Sequence, residues 1–185
     1  MNQKVTSREE ILSVSRELVK KEGSQAISIR SVARACGVSV GSIYNYFGSK
    51  TKLLAATVES IWTEIFHNPD NPAVYEDTES CVTWMYRQME AGSREYPCFV
   101  ALHSLGLAEQ GKKENIRRMN ETQKHIQASL VQVLKNDSRI RKDAFNEAFT
   151  PEVFGNVLFS LMLAALLRED YNPAPVLEVL RRTIY

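Results

Sequence analysis

The sequence predicts an all-α protein. Apolar residues recur at spacings of three and four along nearly the whole chain. No run alternates β-branched residues, and no Asn-Gly or Asp-Gly pair marks a hairpin. Helix start and stop signals, among them Gly23, Gly37, Gly48 and Thr150-Pro151, punctuate the periodic stretches. The architecture expected is an N-terminal three-helix domain, residues 1–52, then a connecting helix over 50–67 and a larger helical domain over 73–185.

The elements follow in order. Ile11, Val14 and Leu18, widened by Leu12 and Val19, predict an amphipathic helix over 7–22, with Ser7 as cap, Glu10 three positions on and Gly23 as stop. Ser28 caps a short helix over 29–36, and Gly37 takes the position after it. Ser39 caps a second over 40–47, leaving only Gly37-Val38-Ser39 as the turn. Val32, Ala33, Val38 and Ile43 form the inward-facing set. Gly48 ends that helix, and Ser49 caps a long one over 50–66. Residues 67–72, rich in Asn, Asp and Pro, break the chain.

Cys81, Val82, Met85 and Met89, with Trp84 alongside, predict a helix over 76–94. Pro97 opens another through Phe99, Leu102 and Leu105, fading at Gly111. Ile116, Met119, Gln123, Ile126, Leu130 and Val133 predict a long helix over 113–135, and 143–149 a short helical turn. Thr150-Pro151-Glu152 starts a helix running to 168, in which only Ser160 is polar between Val157 and Leu167. A helix apolar nearly all round needs cover on all sides. A final helix over 173–185 places Val176, Leu177, Leu180 and Ile184 on one face.

Composition excludes several classes. At 44% hydrophobic and 24% charged, the 185-residue chain has too much apolar content for disorder. No apolar run reaches the roughly 18 residues of a membrane span. The stretch MNQKVTSREE has no signal-peptide core, and Cys36, Cys81 and Cys98 have no metal-like spacing, so a reduced cytoplasmic setting is expected. The net charge of +1 conceals an asymmetry: residues 1–52 hold nine Lys/Arg against four Asp/Glu, and residues 53–185 fourteen against eighteen. A basic quarter on an acidic body suggests a polyanionic partner for the first part, or a chance clustering of surface charge.

Residues 28–47 supply the chemistry. Two short helices joined by a three-residue, Gly-containing turn make a helix-turn-helix. The second opens with Val40, Gly41 and Ser42, small enough to bring its N-terminus close to the floor of a major groove. Tyr44 and Tyr46 carry hydroxyls able to reach phosphate oxygens, Lys50 adds a cation, and Arg30 suits a guanine edge. Ser28 and Ser39 are caps whatever else they do.

Ser28, Val32-Ala33, Ala35, Gly37-Val38-Ser39, Gly41, Ile43-Tyr44, Tyr46-Phe47, Lys50 and Leu53-Leu54 together resemble the DNA-binding domain of the TetR family of bacterial regulators. The resemblance covers about residues 8–54. It implies that Arg30, Val40, Ser42 and Asn45 face bases, and that Ser28, Tyr44, Tyr46 and Lys50 hold phosphates. Cys36 stands where a smaller residue such as Ala is usual, and Thr51 where an acidic one is frequent.

The resemblance also implies a C-terminal domain that dimerises through its last two long helices and binds a small effector. Phe154, Val157, Leu158, Leu161, Val176, Leu180 and Ile184 are the expected dimer interface. Trp84, Met85, Phe99, His103 and Gln123 are the candidate effector contacts. Gln123 stands on a core stripe where an amide needs partners; aromatic residues and Met at helical spacing are equally ordinary core.

Enzyme chemistry has no visible basis. His67, His103 and His125 show no metal spacing, and Gly-rich phosphate loops and Gly-x-Ser-x-Gly are absent. The expected protein is a cytoplasmic, homodimeric, ligand-released repressor on a palindromic double-stranded DNA operator, with no cofactor, metal or membrane. The alternatives are an activator or architectural DNA-binding protein without an effector, and a cysteine-based redox sensor.

Overall fold

The computed structural model describes residues 6–66, 72–96 and 112–185. All regular structure among them is helical. The α-helices are α1 (Arg8–Glu22), α2 (Ile29–Cys36), α3 (Val40–Phe47), α4 (Lys50–Ile65), α5 (Thr78–Glu95), α6 (Lys112–Asn136), α7 (Pro151–Arg168) and α8 (Ala174–Ile184). Two 3-10 turns, Ser24–Ala26 and Pro72–Tyr75, were not foreseen. The helix expected over 97–111 lies outside the described residues. Residues 143–149 form turns rather than a helix, because Asn146 Oδ1 takes the N–H groups of Ala148 and Phe149, both at 2.9 Å.

The chain divides into two compact units, Met1–Glu64 with Gly92–Thr122, and Ile65–Ala91 with Gln123–Tyr185.

In the first unit, α1 packs on α2 and α2 on α3. The face α1 buries is Ile11, Leu12, Ser15 and Val19, with Val14 and Leu18 half-buried. Ser15 sits inside because its hydroxyl donates to Ile11 O at 2.8 Å, so the polar side chain is satisfied by its own helix. Val32, Ala33, Ile43 and Phe47 are buried as expected, and Val38 is half-buried.

In the second unit, Cys81, Met85, Tyr86 and Met89 of α5, Leu130, Val133 and Leu134 of α6, and one side of α7 and α8 are buried. The helices α6 and α7 approach closely at Gly155, where an added Cβ would stand 2.7 Å from Val131 Cγ2. Phe145, Phe149 and Phe154 form an aromatic cluster, with ring centroids 5.3–6.5 Å apart. Asp137 ties three elements: it accepts from Thr78 N at 2.8 Å, from Arg139 N at 3.0 Å and from the Tyr185 hydroxyl.

The residues expected at the dimer interface fall into two groups by burial. Phe154, Leu158, Val176, Leu180 and Ile184 are buried within the chain's own core. An all-round apolar helix gives no directional signal, so its inward side could not be told from its outward one. The exposed apolar residues on these helices are instead Val153, Val157, Leu167 and Val179. By length and composition alone the 18-residue α7 would pass as a membrane-crossing helix, a test that the core helix of a soluble protein also passes; 39% of it is buried within the chain.

Candidate nucleic-acid interface

Local hydrogen bonds alone set the helix-turn-helix. Ser28 Oγ accepts from Ser31 N at 3.0 Å, and Ser31 Oγ accepts from Ser28 N at 3.0 Å, a reciprocal capping box that starts α2. Gly37 ends it in the left-handed conformation at φ 69°, and Val38 N donates back to Ala33 O at 3.0 Å. Ser39 Oγ then accepts from Ser42 N at 3.1 Å and starts α3. Gly48, at φ 71°, ends α3, and Ser49 Oγ accepts from Lys52 N at 3.1 Å to start α4.

With the starts and stops fixed, α3 presents two unlike sides. Ile43 and Phe47 are buried, while Val40, Tyr44 and Tyr46 are 40%, 49% and 44% exposed. Gly41 and Asn45 are also exposed, with Ser42 half-buried. Among the described residues, nothing pairs with the side chains of Arg30, Tyr44, Asn45 or Lys50, all of which are exposed. The sequence from Gly23 to Val58 contains no acidic residue, so Arg30, Arg34, Lys50 and Lys52 are uncompensated within it.

Gly41 is informative because the fold does not ask for it. A Cβ there would meet only Ser39 Oγ, at 3.6 Å, an ordinary contact. Glycine inside a helix costs about 0.5–1 kcal/mol relative to alanine, and no internal contact offsets that cost.

Other expected residues have partners inside the protein. The Ser42 hydroxyl lies 2.9 Å from Ser39 Oγ. The Tyr46 hydroxyl donates to Thr6 O at 2.5 Å, so its proton is committed and unavailable to a phosphate. The Arg8 guanidinium lies over the Phe47 ring, 5.6 Å from its centroid. Both contacts join the start of α1 to the end of α3, and local sequence patterns give no sign of pairings nearly forty residues apart.

The candidate effector residues are less convergent. Met85 is buried, and Trp84 is half-buried between Phe66 and Tyr75, with ring centroids at 6.1 and 6.3 Å. With its amide turned to satisfy both groups, Gln88 accepts from Trp84 Nε1 and donates to Ile65 O, each at 3.1 Å. Phe99, His103 and the Gln123 side chain lie outside the described residues. Cys36 and Cys81 are buried and in no disulfide; Cys98 is outside the described residues. Burial and the nearby Asp77 carboxylate push the Cys81 thiol up to about 12.

A capped helix-turn-helix with an exposed second helix and uncompensated cations has the geometry and charge of a DNA-binding interface. Residues 11–57 match the family described as bacterial regulatory proteins, tetR family. The matched segment holds most of α1, all of α2 and α3 and the first half of α4, and in it the chain is similar to the helix-turn-helix regulators of that family. Over 137 residues it is 28% identical to the nucleoid occlusion factor SlmA of Vibrio cholerae, covering 72% of this chain and 69% of that protein. Over 65 residues it is 35% identical to the HTH-type transcriptional repressor KstR of Rhodococcus jostii, covering 35% of this chain and 31% of that protein. Its fold is that of the TetR regulator SCO7222 from Streptomyces coelicolor, with a TM-score of 0.64, 18% identity and coverage of 91% of this chain and 74% of that one.

Proposed function

We propose that this regulator is a cytoplasmic repressor that binds a palindromic operator as a homodimer and leaves it when a small effector enters the second unit. The carrying observation is the outward side of α3. Val40, Gly41, Tyr44 and Asn45 are exposed on the first turns of a rigidly capped helix, and Gly41 has no internal reason to be glycine. In this reading Arg30, Val40, Ser42 and Asn45 face bases, while Tyr44 and Lys50 take phosphates, with the caps Ser28 and Ser39 supporting both helices.

A surface groove of 460 Å³ lined by Val153, Asn156, Val157, Ser160 and Leu161 supports dimerisation through α7. Of the residues expected at the interface, Val157 and Leu161 belong to it. Two copies related by a two-fold axis would read a two-fold operator. An effector near Trp84 and Met85 releases DNA only by binding the free conformation more tightly than the bound one.

The match to a nucleoid occlusion factor runs over 72% of the chain and favours a second reading, a DNA-binding factor with no small effector. The redox-sensor reading draws no support from Cys36 or Cys81, both buried.

The test is salt-dependent binding to genomic fragments selected by the wild-type protein. Lys50→Ala is expected to lower the slope of log K against log salt by about one, and Tyr44→Ala to weaken binding several-fold. Unchanged affinity and slope in both variants would refute the interface. Operator release by compounds that raise the melting temperature separates the effector reading from the second one.

A further inference from the structure

The start of α1 is held against the end of α3 by two contacts. The Tyr46 hydroxyl donates to Thr6 O, and the Arg8 guanidinium covers the buried Phe47 ring at 5.6 Å. Ser7 caps the same turn, accepting from Glu10 N at 3.1 Å, and Thr6 Oγ1 donates to Glu10 Oε2 at 3.1 Å. The backbone that carries Arg8 is therefore fixed on both sides of the residue.

The cations of α1 are not equivalent. Arg16 pairs with Glu9 at 3.4 Å and Glu64 at 2.5 Å. Lys20 pairs with Glu17, Glu64 and Glu95 at 3.4, 3.1 and 2.6 Å. Arg8 is exposed, and among the described residues no carboxylate pairs with it. It also stands in the first turn of its helix, where the helix dipole opposes a positive charge. Intrahelical electrostatics do not favour a cation here, and its one contact is with a residue of α3. A guanidinium lying over a ring keeps its edge N–H groups free, and that fork matches two phosphate oxygens.

We propose that Arg8 binds a backbone phosphodiester of the duplex that α3 engages, and that Tyr46 is a positioning residue which fixes Arg8 there by anchoring Thr6. This rests on the reading of α3 as the DNA-facing helix. It gives Tyr46 a different part from the phosphate contact expected of it.

The experiment measures affinity across a salt series for the full chain, on a selected genomic fragment and on a random-sequence duplex. Arg8→Gln and Arg8→Met are expected to lower the salt slope by about one on both duplexes, because a phosphate contact carries no sequence information. Arg8→Lys is expected to restore the slope. Tyr46→Phe is expected to weaken binding in the wild-type background and to have no further effect beside Arg8→Gln, a coupling that a separate contact would not show. Lys21→Gln removes an exposed cation at the far end of the same helix, roughly 20 Å away at 1.5 Å per residue, and is expected to leave the slope unchanged.

A slope that Arg8→Gln and Arg8→Met leave unchanged, while Lys50→Ala lowers it, overturns the proposal and leaves the DNA interface standing. Equal losses from Arg8→Gln and Lys21→Gln also overturn it, since net charge then accounts for the effect. Unchanged slopes in the Arg8 variants and in Lys50→Ala, with affinity also unchanged in Tyr44→Ala, overturn the interface itself. Melting temperatures of each variant separate binding losses from unfolding.

Discussion

The Tyr96 hydroxyl donates to Glu64 Oε1 at 2.6 Å, joining the residue after α5 to the last turns of α4 within the unit that carries the helix-turn-helix. Tyr96 is fully buried. Burial by itself would raise the Glu64 carboxyl, but the Tyr96 hydroxyl, Lys20 and Arg16 together bring it below the ordinary carboxylate range. Tyr96→Phe keeps the ring and deletes this bond, leaving Glu64 short of a donor. The expected loss is about 2 kcal/mol of stability, the scale of a hydrogen bond to a charged group. Urea unfolding of the two proteins checks it.

Asp137 predicts an acid sensitivity. Burial would raise its carboxyl, but the Tyr185 hydroxyl, the N–H groups of Thr78 and Arg139 and the Arg139 guanidinium hold it down at about 2. The unfolded chain takes up this proton near 3.8, whereas the folded chain resists until about 2. The stabilisation is therefore fully present above about pH 4 and is lost as pH falls through that window. About 2 kcal/mol is at stake. Asp137→Asn is expected to be less stable at pH 7 and to lack this part of the acid slope in urea melts run between pH 5 and 2.

Gly155 predicts an overpacked variant. An alanine Cβ would stand 2.7 Å from Val131 Cγ2, so Gly155→Ala is expected to cost about 1–3 kcal/mol despite its better helix propensity. Val131→Ala in the same chain is expected to return part of that loss. A double-mutant cycle in thermal unfolding measures the coupling.

Cys81 predicts an inert thiol. Buried and pushed up to about 12, it is almost wholly protonated at neutral pH. Iodoacetamide is expected to label Cys81 in denaturant and not in the native chain, read by mass spectrometry. Rapid native labelling would restore the redox reading.

How much of this was legible in the sequence follows from how local each signal is. Ser28, Gly37, Ser39 and Gly48 act through bonds spanning a few residues, so the boundaries of α2 and α3 were readable directly. Exposure of Val40 and Tyr44 follows from the burial of Ile43 and Phe47 by helical period alone. The inward side of α7 was not readable, because the helix is apolar on nearly every side. Phe154 and Leu158 therefore looked like Val157 until packing against the core separated them. Tyr46 with Thr6, Arg8 with Phe47 and Gly155 with Val131 depend on tertiary proximity that no periodicity encodes.

Gly41 has a wider consequence. Its Cβ position is vacant, with nothing closer than 3.6 Å, and its backbone is ordinary helix. Folding and recognition are thereby uncoupled at this position. A new side chain there is read by the target and not by the core, so preference for one DNA sequence over another can drift without a toll on folding. Alanine there is expected to raise stability by about 0.5–1 kcal/mol while weakening binding. The residue is a point of evolvability, where regulators descended from one fold can part ways in the genes they control.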